Sequence, residues 1–371
     1  MNKNAGESHG PWPPVAVIIL NWNTWSETLE CLESLQRLNY PNFRLILIDN
    51  GSTGDSVDQV KAWCEGKIPI NTKFVRFSSD LKPVNYVEYT RTIAEVGGDR
   101  HMESGLAGLP SNRGLIIIRS SENLGFSGGS NIGLRYAHRR GFPYSWLINN
   151  DVVVDGNALA AMVELFRNDD QAGMVGSKIL YYERPDVVQW IGSDRILNLM
   201  DKNLRAGNVC GNSVRVKWLG AASLMVRNRV ISEIGFLDEA YFLYGEDKDW
   251  CHRAYRKGWM LYCALNSVVW HRGGASSCPD SGPGGIFDML RSHGSLPTRS
   301  LQADYYDSRN SMFWAKRTYP LFFPIYLVGR TGYLIARMIV HDRHRVHRTR
   351  AILRGVWHGF IGKTGRILNP S

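Results

Sequence analysis

The chain has few cysteines and no arrangement of them that suggests a site. Six are scattered over 371 residues (Cys31, Cys64, Cys210, Cys251, Cys263 and Cys278), and no two stand at C-x-x-C spacing. A zinc ribbon does not fit that spacing. A chain of this length also has no need of a disulfide framework, so reduced thiols and a cytosolic setting are expected. Long apolar runs are missing as well. No stretch of about 20 apolar residues is free of charge, so no membrane-spanning helix is expected. The opening residues, MNKNAGESHGPWPP, hold no apolar core of a secretory leader and read as a flexible N-terminus over 1–14. Internal repeats and low-complexity tracts are absent. Acid is scarce in one place only. Between Lys316 and Ser371 stand eleven Lys or Arg against a single acid, Asp342, while the whole chain carries a net charge of +10. The tail therefore holds all of the excess and the preceding residues balance. A basic partner surface belongs to the tail, and nucleic-acid binding by the body is not expected.

The composition, 44% hydrophobic, suits a folded core. Its distribution alternates between two patterns. VAVIIL (Val15 to Leu20) is continuous, apolar and β-branched, as in a strand buried on both faces. WSETLECLESLQRL follows with Leu29, Leu32 and Leu35 at helical spacing and Ser26 as a candidate N-cap. FRLILIDNGS, GLIIIRSSENLGF and YSWLINNDVVV supply further strands, and strand–helix alternation predicts a mostly parallel α/β sheet. Ligands bind such sheets beyond the carboxyl ends of the strands. The polar clusters fall there: Asn21 and Asn23, Asp49 and Asn50, and Asn149 to Asp151. Residues 80–113 fit no strand–helix unit and read as an insertion, a candidate flap.

Five stretches carry chemistry. In LINNDVVVD, Asp151 is a hard oxygen ligand suited to Mg2+ or Mn2+, although Asn-Asn-Asp is also an ordinary strand-end turn. IDNGS, around Asp49, also reads as an ordinary turn. ENLGFSGGSNIGL offers glycines before a helix, where backbone amides can approach a phosphate; it matches neither a Walker loop nor a dinucleotide turn. VVWHRGGAS puts His271 after an apolar strand, where imidazoles are more often structural than ligating. FLYGEDKDWCHRAYRKG crowds Glu246, Asp247 and Asp249 behind Tyr241, Phe242 and Tyr244. Asp249 and Arg253 have the i, i+4 spacing of a helix-surface pair.

Taken in order, these motifs resemble glycosyltransferase family 2, the inverting enzymes of GT-A fold that use nucleotide-diphosphate sugars, and most of all its bacterial rhamnosyltransferase-like branch. The resemblance runs from Val15 to about Gly365. It is most specific in GAASLMVRNRVISEIGFLDEAYFLYGEDKDWCHRAYRKGW, and YYDSRNSMFWAKR and ILRGVWHGFIGKTG extend it. It implies a nucleotide-binding GT-A domain over 15–315 and a basic, amphipathic helical extension over 316–371. Asp49 would recognise the donor base, with Leu20 and Trp22 lining its pocket. Asn131, Asn149 and Asn150 would lie on the donor side, Asn150 at the ribose. Asp151 and His271 would hold a divalent cation, Mn2+ or Mg2+. Asp247 would be the catalytic base, with Glu246 as its rival, while Trp218, Gly220 and Glu246 would face the acceptor. Asn149 stands where the family's D-x-D motif has its first acid, which removes one negative charge from the metal site.

The chemistry accounts for the acids behind the aromatic run. An attacking hydroxyl must lose its proton as the new bond forms, so a carboxylate within hydrogen-bond reach is needed. The leaving diphosphate gains charge, which a cation offsets. The rings beside the base are expected to stack on a sugar. Rhamnose is the first choice of sugar, with galactofuranose, N-acetylglucosamine and other hexoses open. The expected acceptor is a surface polysaccharide or lipid-linked glycan. The tail, with Trp357, Phe360 and Ile361 among its arginines, is expected to rest on an anionic membrane on the cytoplasmic side, with a packed helical hairpin as the plainer alternative. Two other functions remain open. A sugar-nucleotide nucleotidyltransferase would need a Gly-rich loop after the first strand, and NWNTWSETL has no glycine. A non-catalytic scaffold of the same fold would not need Asp151 and Asp247, and both are present.

Overall fold

A computed structural model describes residues 12–194, 212–273, 300–341 and 345–367; side chains at 337–341 and 345 lie outside the described set, as do Cys210, Cys278 and Asp342. In chain order the elements are β1 (Val15–Asn21), α1 (Trp25–Leu35), β2 (Phe43–Asn50), α2 (Ser56–Cys64), β3 (Asn85–Thr90), α3 (Arg91–Glu95), β4 (Gly114–Ser120), α4 (Gly125–Arg139), β5 (Tyr144–Asn149) and β6 (Val152–Val154). They continue with α5 (Ala158–Asn168), β7 (Ala172–Tyr181), β8 (Val188–Trp190), β9 (Ser213–Val216), β10 (Ser223–Arg227), α6 (Asn228–Ile234), α7 (Glu246–Arg256) and β11 (Met260–His271). Three helices close the chain: α8 (Leu301–Thr318), α9 (Phe323–His341) and α10 (Arg345–Phe360).

One mixed sheet runs in the order β3-β4-β2-β1-β5-β10-β7-β11-β6, with β8 on β7 and β9 on β11. From β3 to β5 every pairing is parallel; β10 is antiparallel to both neighbours, and β7 and β11 are parallel again. This is the mostly parallel α/β sheet that the alternation predicts, and it matches the sheet expected of the GT-A fold. The two-residue period of β1 sends Val15, Val17 and Ile19 into one core with Leu29, Leu32 and Leu35 of α1. Ala16 and Ile18 go into the other, with Ile132 of α4 and Trp250 of α7. Both faces are thus covered, which is why β1, β2 and β4 are apolar at nearly every position.

Four expectations are corrected. Helix α1 begins at Trp25 with Thr24 at its cap, and Ser26 lies inside the first turn bonded to Glu27 at 2.7 Å. Residues 80–113 are no free flap. They contribute β3, the edge strand of the sheet, pinned by Glu103, which accepts from the hydroxyls of Tyr89 (2.9 Å) and Tyr136 (2.8 Å) and pairs with Arg140. The glycines of ENLGFSGGSNIGL are packing residues. A Cβ on Gly129 would meet Leu20 Cδ1 at 2.5 Å and one on Gly133 would meet Ile18 Cγ2 at 2.5 Å, so they bring α4 close against β1. The expected boundary at 316 falls inside α8, which packs along its length on both α10 and the loop before α7.

Candidate active site

The parallel strands end together. Asn21 lies opposite Asp49, and Leu20 opposite Asn149. Side chains connect these ends in a string: Asn21 Nδ2 donates to Asp49 Oδ1 (3.1 Å), Thr28 Oγ1 to Asn21 Oδ1 (2.9 Å), and Asn150 Nδ2 to Thr28 Oγ1 (2.9 Å) and Thr24 Oγ1 (2.6 Å). Asp49 is buried, and Trp22 stands half out of the surface beside it. Thr28 was not singled out from sequence. Its only signal is a hydroxyl one helical turn inside α1, on the face toward the sheet.

Asp151 and His271, 120 positions apart, are brought together because β11 pairs antiparallel with β6, with His271 opposite Val152. His271 Nε2 lies 3.2 Å from Asp151 Oδ1, and His271 Nδ1 lies 2.8 Å from Gln189 Oε1 on β8. In the neutral tautomer that gives Nδ1–H to Gln189, the imidazole turns a lone pair toward the carboxylate. Two electron-rich atoms at that separation need a proton or a cation between them. An oxygen with an imidazole suits Mn2+, and a partner on the far nitrogen is the usual way a ligating histidine is oriented. The pair therefore fits a divalent cation. Among the described residues no third His, Cys, Asp or Glu joins them, which leaves the remaining positions to substrate phosphates and water. Burial alone would raise the Asp151 carboxyl, but His271 in its protonated form, with help from Arg272, holds it below its ordinary value.

Glu246 and Asp247 are the first two residues of α7, and both are held at its N-terminus. Asp247 Oδ2 accepts from the Ala221 amide (3.2 Å) and Oδ1 from the Lys248 amide (2.6 Å). The neighbouring residue completes a bridge to the other half of the site, since Ala222 O accepts from the Asn149 amide at 3.1 Å. One dipeptide, Ala221–Ala222, thus ties the Asp247 carboxylate to the strand end that leads into Asp151. Burial pushes the Asp247 carboxyl up, and burial together with the Asp247 charge pushes Glu246 up to about 8. Glu246 Oε2 is buried with no protein partner. Trp218 stands beside Asp247, its ring edge-on to Trp190 at 4.9 Å and under the Lys248 ammonium at 5.2 Å.

Asn131, Asp249 and the aromatic run sit otherwise than expected. Asn131 is buried among protein partners: its amide donates to Leu237 O and Glu239 Oε1, both at 2.9 Å, and its carbonyl accepts from the Leu237 amide. With both amide hydrogens and its oxygen engaged it clamps the 237–239 segment. Asp249 does pair with Arg253 (2.6 Å), but Asp249 itself is buried and also takes the Tyr241 hydroxyl (3.3 Å). Tyr241 and Phe242 of the aromatic run pack against α8. Tyr241 is fully buried against Met312 and Trp314 of α8, and Phe242 stacks on Tyr306 at 5.3 Å. The indoles of Trp190 and Trp218 are the aromatic surface nearest the base. Sequence reasoning gave Arg309 and Asn310, which bind this run, no role of their own; their signal was the YYDSRN stretch.

Comparison with known proteins follows the same lines. Residues 93–279 match the family described as Glycosyltransferase like family 2, and residues 16–82 match Glycosyl transferase family 2. The uncharacterized protein Rv1525 of Mycobacterium tuberculosis is 26% identical over 167 residues, 42% of this chain and 57% of that protein, as is its counterpart in Mycobacterium bovis. The chain thus spans little more than half the length of these relatives. Among solved structures, a mannosyltransferase from Pyrobaculum calidifontis in complex with GDP-Man and Mn2+ superposes with a TM-score of 0.49 and 13% identity, covering 92% of this chain and 74% of the other. TarS 1–349 of S. aureus does so with a TM-score of 0.45 and 12% identity, covering 94% and 88%.

Proposed function

The chain belongs to glycosyltransferase family 2, and from that premise we propose that it moves a sugar from a nucleoside diphosphate to a hydroxyl of a glycan or lipid-linked glycan in one inverting displacement. The main support is the placing of one carboxylate. Asp247 is half-buried at a helix N-terminus and is tied through Ala221 and Ala222 to the strand end that carries Asp151. On this reading Asp247 takes the proton of the attacking hydroxyl, and Glu246, with a buried oxygen unsatisfied by protein, orients the acceptor. Asp49, Leu20, Trp22, Asn149 and Asn150 hold the nucleoside, while Trp218, Trp190 and Gly220 face the acceptor side. Asp151 and His271 would hold the divalent cation, which supplies positive charge beside the leaving diphosphate. Rhamnose remains the first choice of sugar, on resemblance alone. The tail is read as a membrane-surface element that brings the site to a lipid-linked acceptor, on the cytoplasmic side.

The test is release of nucleoside diphosphate from a panel of UDP-, GDP- and dTDP-sugars with Mn2+. Asp247→Asn should lower turnover by about 10²–10⁴-fold while leaving binding of the nucleoside diphosphate intact. Wild-type turnover by this variant would remove Asp247 from the chemistry. Chelation should abolish the wild-type activity and Mn2+ or Mg2+ should restore it, whereas Asp151→Ala should need far more metal. Full activity after exhaustive chelation would overturn the metal assignment.

A further inference from the structure

The backbone between Tyr241 and α7 is strained. Phe242 (φ 64°), Tyr244 (φ 67°) and Gly245 (φ 88°) are all left-handed, and two of the three carry side chains that disfavour this region. Such a segment persists only where its surroundings hold it. On one side the N-terminus of α4 does so, with the Phe126 amide donating to Phe242 O at 2.7 Å. On the other side stands Asn310 of α8. Its carboxamide nitrogen donates to three carbonyls of the segment: Tyr244 (2.6 Å), Leu243 (2.7 Å) and Tyr241 (3.0 Å). Its oxygen accepts from Arg309 Nε at 2.8 Å, which fixes the amide the right way round. Arg309 is itself buried, with Tyr306 4.8 Å from its guanidinium, and donates to Tyr241 O (2.6 Å) and Ala240 O (3.3 Å). Two amide hydrogens thus face three carbonyls. The next residues are Glu246 and Asp247.

We propose that Asn310 is a positioning residue for the catalytic base: by gathering the carbonyls of Tyr241, Leu243 and Tyr244 it sets where α7 begins and so where Asp247 stands. Carboxamide geometry suits this task. A hydroxyl has one hydrogen to give, and a carboxylate has none and would repel all three carbonyls. The proposal rests on the reading of Asp247 as the base, and it predicts that Asn310 acts on turnover through that residue rather than on the nucleotide site, whose side chains lie on β1, β2 and β5.

The experiment uses the full chain, Mn2+, the nucleotide sugar that wild type turns over in the panel above, and the matching nucleoside diphosphate as binding probe. Asn310→Ala should lower kcat by at least about 10²-fold, with the dissociation constant of the probe within threefold of wild type and binding still one per chain. The double variant Asn310→Ala with Asp247→Asn should be no slower than Asp247→Asn alone, within threefold, because a residue that works through Asp247 has nothing left to position. A kcat within threefold of wild type for Asn310→Ala overturns the proposal, and so does a further independent loss in the double variant. Should Asn310→Ala fail to bind the probe, Asn310→Gln, which keeps both donors, is the second test: recovery of probe binding with slowed turnover supports positioning. Loss of binding in both makes Asn310 a folding residue and overturns it. Activity of Asp247→Asn at the wild-type level would fail the base reading itself, an outcome visible before Asn310 is varied.

Discussion

Glu246 and Asp247 stand side by side in a place where two negative charges are costly. The pair titrates as a unit, and Glu246 holds the last proton, up to about 8, because it is the more deeply desolvated and feels the charge of Asp247. Asp247, raised by burial as well, gives up its proton before Glu246 does, which is the order a base and an acceptor-binding partner need. Stability follows with a definite sign. An unfolded chain ionises Glu246 near the ordinary value of about 4.3, while the folded one delays this to about 8. The folded state is therefore favoured at low pH, and this contribution is lost as pH rises between those values. Glu246→Gln, neutral throughout, should flatten the decline of Tm between pH 6 and pH 9 and exceed wild type at the upper end. Parallel curves in a thermal-shift titration would show that Glu246 does not hold the proton. Asp49 offers a contrast, since it lies at the far end of the Asn21–Thr28–Asn150 string. Asp49→Ala should raise the donor KM more than it lowers kcat; a defect in kcat alone would take Asp49 out of the nucleotide pocket.

At the scale of elements, α4 decides how close the loop before α7 comes to the sheet. Gly125 is left-handed (φ 73°), and a Cβ there would lie 2.2 Å from Phe242 O. Gly133 faces Ile18 in the core, remote from that loop. Both substitutions to Ala overpack the helix and should cost about 1–3 kcal/mol of stability, read as a lower Tm. Only Gly125→Ala should also slow turnover, since it displaces the carbonyl that the start of α4 holds. Equal kinetics for the two variants would show that α4 has no hold on the active loop. What was legible in the sequence follows the same physics. Strands β1, β2, β4 and β5 were plain because burial on both faces demands unbroken apolar runs. Asp151, His271 and Asp247 were legible because their motifs come in a recognisable order. β3 was missed because an edge strand keeps polar residues, as in NYVEYT. The glycines of α4 misled because a helix pressed against a sheet and a phosphate-binding turn call for the same residue. The burial of Tyr241 and the clasp of Asn310 were out of reach because their partners lie 60 to 70 positions away, and no local pattern records such a distance.

For the molecule as a whole, the charge of the helices after Tyr319 divides into an inward and an outward part. Arg330 and Arg348 turn inward to Asp307 and Asp304 of α8, so they hold the bundle and add nothing to an outer surface. Helices α9 and α10 run antiparallel, with Phe323 stacked on Phe360 and Leu334 packed on Ile352. Their outer faces keep the apolar residues that a packed hairpin would have buried: Leu321 is 90% exposed, Ile325 and Val328 74% each, and Trp357 57%. Lys316, Arg350, Lys363 and Arg366 are exposed alongside them. Among the described residues no helix is long and apolar enough to cross a membrane. An apolar stripe with exposed cations fits attachment at an anionic lipid surface. Four such cations are worth about 4 kcal/mol near that surface, before any apolar insertion. Removing the tail would be a poor test, because the Gly365 amide donates to Ala240 O (2.9 Å) and Gly365 O accepts from Arg309 (2.5 Å), so the active loop would lose partners too. Point changes avoid this. The full chain should sediment with vesicles containing anionic lipid and come partly free in high salt. The variant with Leu321→Ser, Ile325→Ser, Val328→Ser and Trp357→Ser should stay largely in solution while keeping its Tm and its turnover of a soluble acceptor. Equal sedimentation of the two proteins, or none by wild type, would leave the stripe without a membrane role.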